Sequence, residues 1–307
     1  MDLKGRNFLT LLDYQPREIE HILRISESMK KDQIRRELKE KSLAMLFQKS
    51  STRTRISFEV GMTQLGGHAL FLDMKNTQLG RGESIGDTAR TISRYCDGIM
   101  ARLNKHSDAE GLAEYATVPV INALTDLYHP CQTMADLETV LEHKKKVAGL
   151  KVVFFGDCGF NMFNSTAIGF TKLGASVVAC CPEKGGYVPD MEGALAPLEP
   201  EYRGKISVEH DPMAAAEGAD VIYTDTWVSM GQDEEKAQRL ADLKPYQVNA
   251  GLMAKAPNAI FMHCLPAHRG EEVTDEVIDG PQSVVFDQAE NRLHAQKGIL
   301  VELMGGE

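Results

Sequence analysis

The chain has 307 residues and a mass of 33.9 kDa, enough for two domains of ordinary size, each with its own core. A formal net charge of −10, with 43% hydrophobic and 25% charged residues, argues against broad attraction to nucleic acid or to an anionic membrane, so neither is expected as a partner. Met1 to Asn7 lacks the apolar core of a signal peptide and no segment reaches membrane-spanning length, so a cytoplasmic location is expected.

Short apolar, β-rich runs recur at Leu43–Phe47, Ala69–Leu72, Gly98–Ala101, Val118–Ile121, Val152–Phe155, Ser176–Cys181, Val221–Thr224, Ile260–Met262 and Ser283–Phe286. Between them lie stretches of helical period, such as Pro16–Met29, where Ile19, Ile22, Leu23 and Ser26 share a face, and Asp87–Cys96. Strands apolar throughout and separated by helices predict parallel sheets covered on both faces, an α/β fold. The charged, small-residue stretch Glu142–Leu150 predicts a boundary between two similar-sized domains, 1–142 and 150–288, with a C-terminal helix over 289–307. Two such domains leave a cleft between them, the expected place for a small-molecule site.

Five polar segments stand at or near the ends of predicted strands, where parallel sheets bind ligands. Ser51-Thr52-Arg53-Thr54-Arg55 lies between a strand and a helix, so two kinds of hydroxyl, two guanidinium groups and free helix N–H groups can converge on a phosphate dianion. The plainer reading is a Ser/Thr cap with exposed arginines. Arg102 directly follows a strand; alone it reads as a surface arginine. His129-Pro130-Cys131-Gln132 suits a helix start, with His129 just ahead of the proline and Gln132 in the first turn. Asp225-Thr226-Trp227-Val228-Ser229-Met230-Gly231 follows a strand and offers a carboxylate for an amine and a small-residue turn for a lid, although Asp225 can equally cap a turn. The fifth is His263-Cys264-Leu265-Pro266, where a buried structural cysteine is the default reading of Cys264.

Two other chemistries find little support. Gly156-Asp157-Cys158-Gly159-Phe160-Asn161 sits between strand and helix as a dinucleotide fingerprint would, but lacks its three glycines, and no Walker sequence occurs. The six cysteines, Cys96, Cys131, Cys158, Cys180, Cys181 and Cys264, predict no disulfide framework in a cytoplasmic chain of this size. His129-Pro130-Cys131 and His263-Cys264 raise the question of zinc, but no Cys-x-x-Cys pair or comparable His/Cys pairing occurs, so no metal site is expected.

Together these segments resemble the aspartate/ornithine carbamoyltransferase family over nearly the whole chain. Ser51 to Arg55 is similar to its carbamoyl phosphate signature and His129 to Gln132 to its His-Pro-x-Gln element. Asp225 with Ser229-Met230-Gly231, His263-Cys264-Leu265-Pro266 and Ala289-Glu290-Asn291-Arg292 resemble the ornithine branch. The resemblance implies carbamoyl transfer from carbamoyl phosphate to L-ornithine, giving citrulline and phosphate in arginine metabolism, with no cofactor. It implies that Ser51, Thr52, Arg53, Thr54 and Arg102 hold the phosphate, that His129, Gln132 and Arg292 address the carbamoyl end, and that main-chain carbonyls of Cys264 and Leu265 receive its amide. Arg102, His129, Asp225 and Cys264 are the implied catalytic residues, and Asn161, Asp225, Ser229 and Met230 the implied ornithine contacts.

Gln78 matches a loop that in this family reaches the neighbouring subunit of a trimer, so a homotrimer or a multiple of trimers is implied. The segment Gly156 to Asn164 departs from the family pattern, which leaves Asn161 and Asn164 as alternatives for one contact. Aspartate, putrescine and acetylornithine stay open as acceptors, and a non-catalytic ligand sensor as a third class. Aspartate would call for extra cations where Asp225 stands, and putrescine has no α-amino or α-carboxylate group for Asp225 and Asn161 to hold.

Overall fold

The computed structural model describes residues 1–76, 82–228 and 235–305. The chain divides into two compact units, Met1–Glu138 with Glu290–Glu307, and Thr139–Ala289.

The first unit opens with α1 (Pro16–Lys31), which has proline in its first turn and a reciprocal Gln15–Glu18 capping box, and which buries Ile19, Ile22, Leu23, Ser26 and Met29 on one face. Then follow β1 (Ser42–Phe47), α2 (Thr52–Gln64), β2 (His68–Asp73), α3 (Ile85–Ile92), β3 (Gly98–Arg102), α4 (His106–Tyr115), β4 (Val120–Leu124) and α5 (Pro130–Lys144). The four strands form one parallel sheet in the order β2-β1-β3-β4. Strands β1 and β3 are apolar on both faces and buried, whereas edge strand β2 exposes Leu70 and Phe71. Because the chain winds from β1 outward to β2 and then back to β3, the order reverses between β1 and β3. At such a reversal in a parallel sheet, the loops leaving the two strands diverge at their C-terminal ends, where ligands bind in this class of fold.

Helix α5 ends where Lys145 turns into the left-handed region (φ 64°) and its N–H reaches the Leu141 carbonyl, within the predicted boundary stretch. The second unit continues with β5 (Lys151–Phe155), α6 (Asn161–Lys172), β6 (Ser176–Cys180), α7 (Pro200–Arg203), β7 (Ile206–Glu209), α8 (Pro212–Ala216), β8 (Val221–Thr224), α9 (Lys236–Leu243), α10 (Ala250–Met253), β9 (Ile260–His263), α11 (Asp275–Ile278) and α12 (Val285–Met304). Its parallel sheet runs β7-β6-β5-β8-β9, with the reversal between β5 and β8. Val153, Phe155, Ile222 and Phe261 carry the core, packed against Leu252, Val277 and Val285.

Two elements differ from expectation. Strand β7 has no apolar run to announce it, because Ile206-Ser207-Val208-Glu209 is a half-exposed edge. Ser283–Phe286 is not a strand: Ser283 makes one bridge to Phe261, and helix α12 starts at Val285. Periodicity cannot separate so short an apolar run from the first turn of a helix. Within α12, the buried Lys297 donates to the Gln33 carbonyl at 2.8 Å and to Gln64 Oε1 at 2.9 Å, anchoring the helix to the first unit. Among the described residues, no helix is long and apolar enough to cross a membrane.

Candidate active site

In the first unit the polar groups collect at the C-terminal ends of β1, β3 and β4. Ser51 is extended (φ −163°, ψ 115°) and caps α2, its hydroxyl accepting from the Thr54 N–H at 3.2 Å. Both the cap and the anion-binding readings of this segment thus share one geometry: Thr52, Arg53 and Thr54 form the first helical turn, at the positive end of the helix dipole. Arg102 is the last residue of β3 and pairs in register with Phe47, the last of β1, so a buried arginine stands one strand from the start of the signature.

His129, buried, precedes α5, and Gln132 lies in its first turn. Arg292 of α12 completes the set. It donates from Nη1 to Gln132 Oε1 at 2.7 Å and from Nη2 to Thr54 Oγ1 at 3.1 Å, while Gln132 Nε2 donates to Asp136 Oδ1 at 2.9 Å.

Electrostatics mark the same place. Burial first, then the neighbouring Arg292 and Arg102, hold His129 well below the usual histidine range. The imidazole is therefore neutral and offers a hydrogen bond rather than a charge. Lys49, just ahead of the signature, is also held low, by burial and then by Arg102. Two arginines close enough to disfavour further positive charge at His129 and Lys49, in a buried setting, suit an anion.

In the second unit three adjacent strands deliver the polar groups. Gly156 follows β5 at φ 111°, and a Cβ there would stand 3.0 Å from Trp227 Nε1 and 3.2 Å from its Cδ1, so both conformation and space call for glycine. Asp225 follows β8, and its Oδ1 accepts from the Thr226 N–H at 2.7 Å and from Cys264 Sγ at 3.0 Å. Cys264 follows β9. Beside it Leu265 is held in the left-handed region (φ 57°), its N–H donated to His263 Nδ1 at 2.8 Å. That bond fixes the tautomer: Nδ1 accepts, so Nε2 carries the proton and donates to the buried Glu272 Oε1 at 3.0 Å. Asn161 and Asn164 are both buried on the first turn of α6.

Gln78, Ser229 and Met230 lie outside the described residues. No local sequence signal marks Lys49 or Glu272, or Arg239, which donates to the Trp227 carbonyl at 2.7 Å and pairs with Asp157. Their roles depend on neighbours distant in the chain, which no local motif announces.

Comparison with known proteins agrees across the chain. The family sequence model described as "Aspartate/ornithine carbamoyltransferase, carbamoyl-P binding domain" matches residues 6–142, and that described as "Asp/Orn binding domain" of the same family matches residues 148–303. An ornithine carbamoyltransferase of Thermococcus kodakarensis is 54% identical, covering 100% of this chain and 98% of its own length. An anabolic ornithine carbamoyltransferase of Pyrococcus furiosus is likewise 54% identical at 100% and 98% coverage. The solved structure of an ornithine carbamoyltransferase from Pyrococcus furiosus superposes with a TM-score of 0.94 at 53% identity, covering 100% of this chain and 99% of that one.

Proposed function

This chain belongs to the aspartate/ornithine carbamoyltransferase family, and from that premise we propose that it transfers the carbamoyl group of carbamoyl phosphate to the side-chain amine of L-ornithine, releasing citrulline and phosphate. The observation that carries this reading is the convergence of Thr54, Gln132 and Arg292 beside the depressed histidine His129 and Arg102. Ser51, Thr52, Arg53 and Thr54 bind the phosphate through hydroxyls, guanidinium and the N–H groups of α2, with Arg102 adding charge.

Attack by the amine builds negative charge on the carbamoyl oxygen while phosphate leaves. Fixed donors from Arg102, His129 and Thr54 stabilise that charge without reorganising. A neutral His129 suits this role, since it donates a hydrogen bond without giving up a proton.

The nucleophile sets the larger demand. An alkyl ammonium with a pKa near that of lysine, about 10.4, is neutral in only about one molecule in 2,500 at pH 7, a cost of roughly 4.6 kcal/mol. Desolvating the amine lowers that cost, and ordering two substrates supplies up to roughly 7–11 kcal/mol. Asp225 holds the α-amino group. Among the described residues the donors to Asp225 reach Oδ1, and one of them is the Cys264 thiol, which keeps sulfur lone pairs for the reacting amine without a covalent bond. Asn161, Ser229 and Met230 complete the ornithine contacts, and main-chain carbonyls of Cys264 and Leu265 receive the carbamoyl amide.

The active form is a homotrimer, with Gln78 completing the site of an adjacent subunit. Supporting this, the edge strand β2 exposes Leu70 and Phe71 and helix α2 exposes Ile56 and Val60, large apolar side chains that self-association would cover, and β2 precedes the Gln78 segment in the chain. Incubating the purified chain with carbamoyl phosphate and ornithine tests the activity. Citrulline and phosphate should appear in equal amounts, and phosphate release without citrulline would contradict the proposal.

A further inference from the structure

Below the Leu265 bend the chain makes a compact turn, His268-Arg269-Gly270-Glu271-Glu272, that the transfer reaction does not use. His268 Nδ1 lies 3.7 Å from Glu271 Oε2 and 3.8 Å from Glu272 Oε2, and one donor atom from each of the three residues falls within 4.8 Å of the others. The Glu272 side chain is wholly buried. Its Oε1 accepts from His263 Nε2 at 3.0 Å and from the His268 N–H at 2.6 Å, whereas its buried Oε2 accepts no hydrogen bond among the described residues. A carboxylate oxygen taken out of water without a donor is costly, and this one faces the His268 and Glu271 side chains.

The geometry points to a divalent transition-metal site formed by His268 Nδ1, Glu271 Oε2 and Glu272 Oε2. One imidazole and two carboxylates suit Zn²⁺ or a similar ion, with water in the remaining position. Tetrahedral ligand atoms around zinc stand about 3.3 Å apart, so His268 and Glu271 draw in slightly. Their side chains are 46% and 29% exposed, which gives both that freedom and a route for the ion. The absence of paired Cys/His spacing, from which no metal was expected, does not bear on a His-x-x-Glu-Glu run. With Oε2 on the ion and Oε1 on His263, Glu272 couples the metal to the imidazole that receives the Leu265 N–H.

A second cluster, Asp225, His263 and Cys264, also has donor atoms within 4.8 Å. It is a poorer site, because both ring nitrogens of His263 are already engaged and the Cys264 thiol donates to Asp225. Equilibrium dialysis of the full chain against Zn²⁺ separates the two. Wild type and Cys264→Ser should each retain one zinc per chain, and His268→Ala and Glu271→Gln should lose it at the concentration that fills wild type. Glu271→Gln keeps the shape of a half-buried side chain, so loss of zinc at an unchanged metal-free melting temperature is loss of a ligand. Co²⁺ bound to wild type should show no thiolate charge-transfer band. Wild type retaining no more zinc than these two variants, or zinc binding lost in Cys264→Ser and kept in Glu271→Gln, would overturn the assignment.

Discussion

Arg292 of α12 donates from Nη2 to Thr54 Oγ1 at 3.1 Å, joining residues 238 positions apart in the chain. The same guanidinium holds Gln132 through Nη1, so one side chain positions the phosphate signature and the first turn of α5 together. Arg292→Lys keeps the charge but loses the planar fork, and a lysine reaches only one partner. Losing one charge-assisted bond of about 1.5–3 kcal/mol predicts a fall in kcat/KM of roughly 10- to 100-fold. A change of less than twofold would mean that Arg292 does not position either group.

Arg53→Ala should weaken carbamoyl phosphate binding by a similar factor, because a desolvated dianion loses a charge-assisted donor. Calorimetric titration measures this directly. Unchanged affinity in a folded variant would leave Ser51 to Thr54 as a helix cap and nothing more.

Asp225→Ala should abolish ornithine turnover while leaving carbamoyl phosphate affinity within about threefold, since the proposed partner of Asp225 is the α-amino group of the second substrate. Loss of both ligands together would assign Asp225 a structural role in its unit, through its bond from Cys264.

Stability should fall in mild acid. His129, His106 and His294 are all held below the usual histidine range, with burial the largest cause for each. Above about pH 6.5 neither folded nor unfolded chain protonates them, and their effect is nil. Below that value the unfolded chain takes up protons that the folded chain refuses, so each costs up to about 1.36 kcal/mol per pH unit until its folded pKa is reached. Urea midpoints from pH 8 to pH 5.5 should therefore decline, and decline less steeply in His129→Gln. Parallel curves for the two proteins would contradict a buried neutral His129.

Much of this arrangement could be read from residues close in sequence. Ser51 to Thr54, Arg102, His129 and Gln132 each follow an apolar strand or open a helix, and parallel topology brings such positions to one sheet edge. What stayed hidden depends on distant partners or on weak local patterns. Glu272 matters because His263 and His268 face it, Gly156 because Trp227 packs where a Cβ would go, and β7 is an exposed edge whose four residues carry no apolar run. The choice between Asn161 and Asn164 is open to local reading only in part, since both fall on the first turn of α6 and both are buried.

The trimer proposal predicts complementation. Arg53→Ala and Gln78→Ala, each impaired as a pure trimer, should recover about one site in four when subunits mix at random, because a site needs its own Arg53 and its neighbour's Gln78. Two affinity tags establish that exchange has occurred. Proven exchange with activity no higher than the separate variants would rule out a shared site.

The most direct test of the central claim is a comparison of kcat/KM for ornithine, N-acetylornithine, putrescine and aspartate at saturating carbamoyl phosphate. Ornithine alone offers both a free α-amino group for Asp225 and a side-chain amine for transfer, and should exceed N-acetylornithine, which loses one polar contact, by about 10-fold or more, and putrescine, which loses two, by about 100-fold or more, while aspartate, with no side-chain amine to carbamoylate, should be slower still. Turnover of putrescine, N-acetylornithine or aspartate as fast as ornithine would contradict the account.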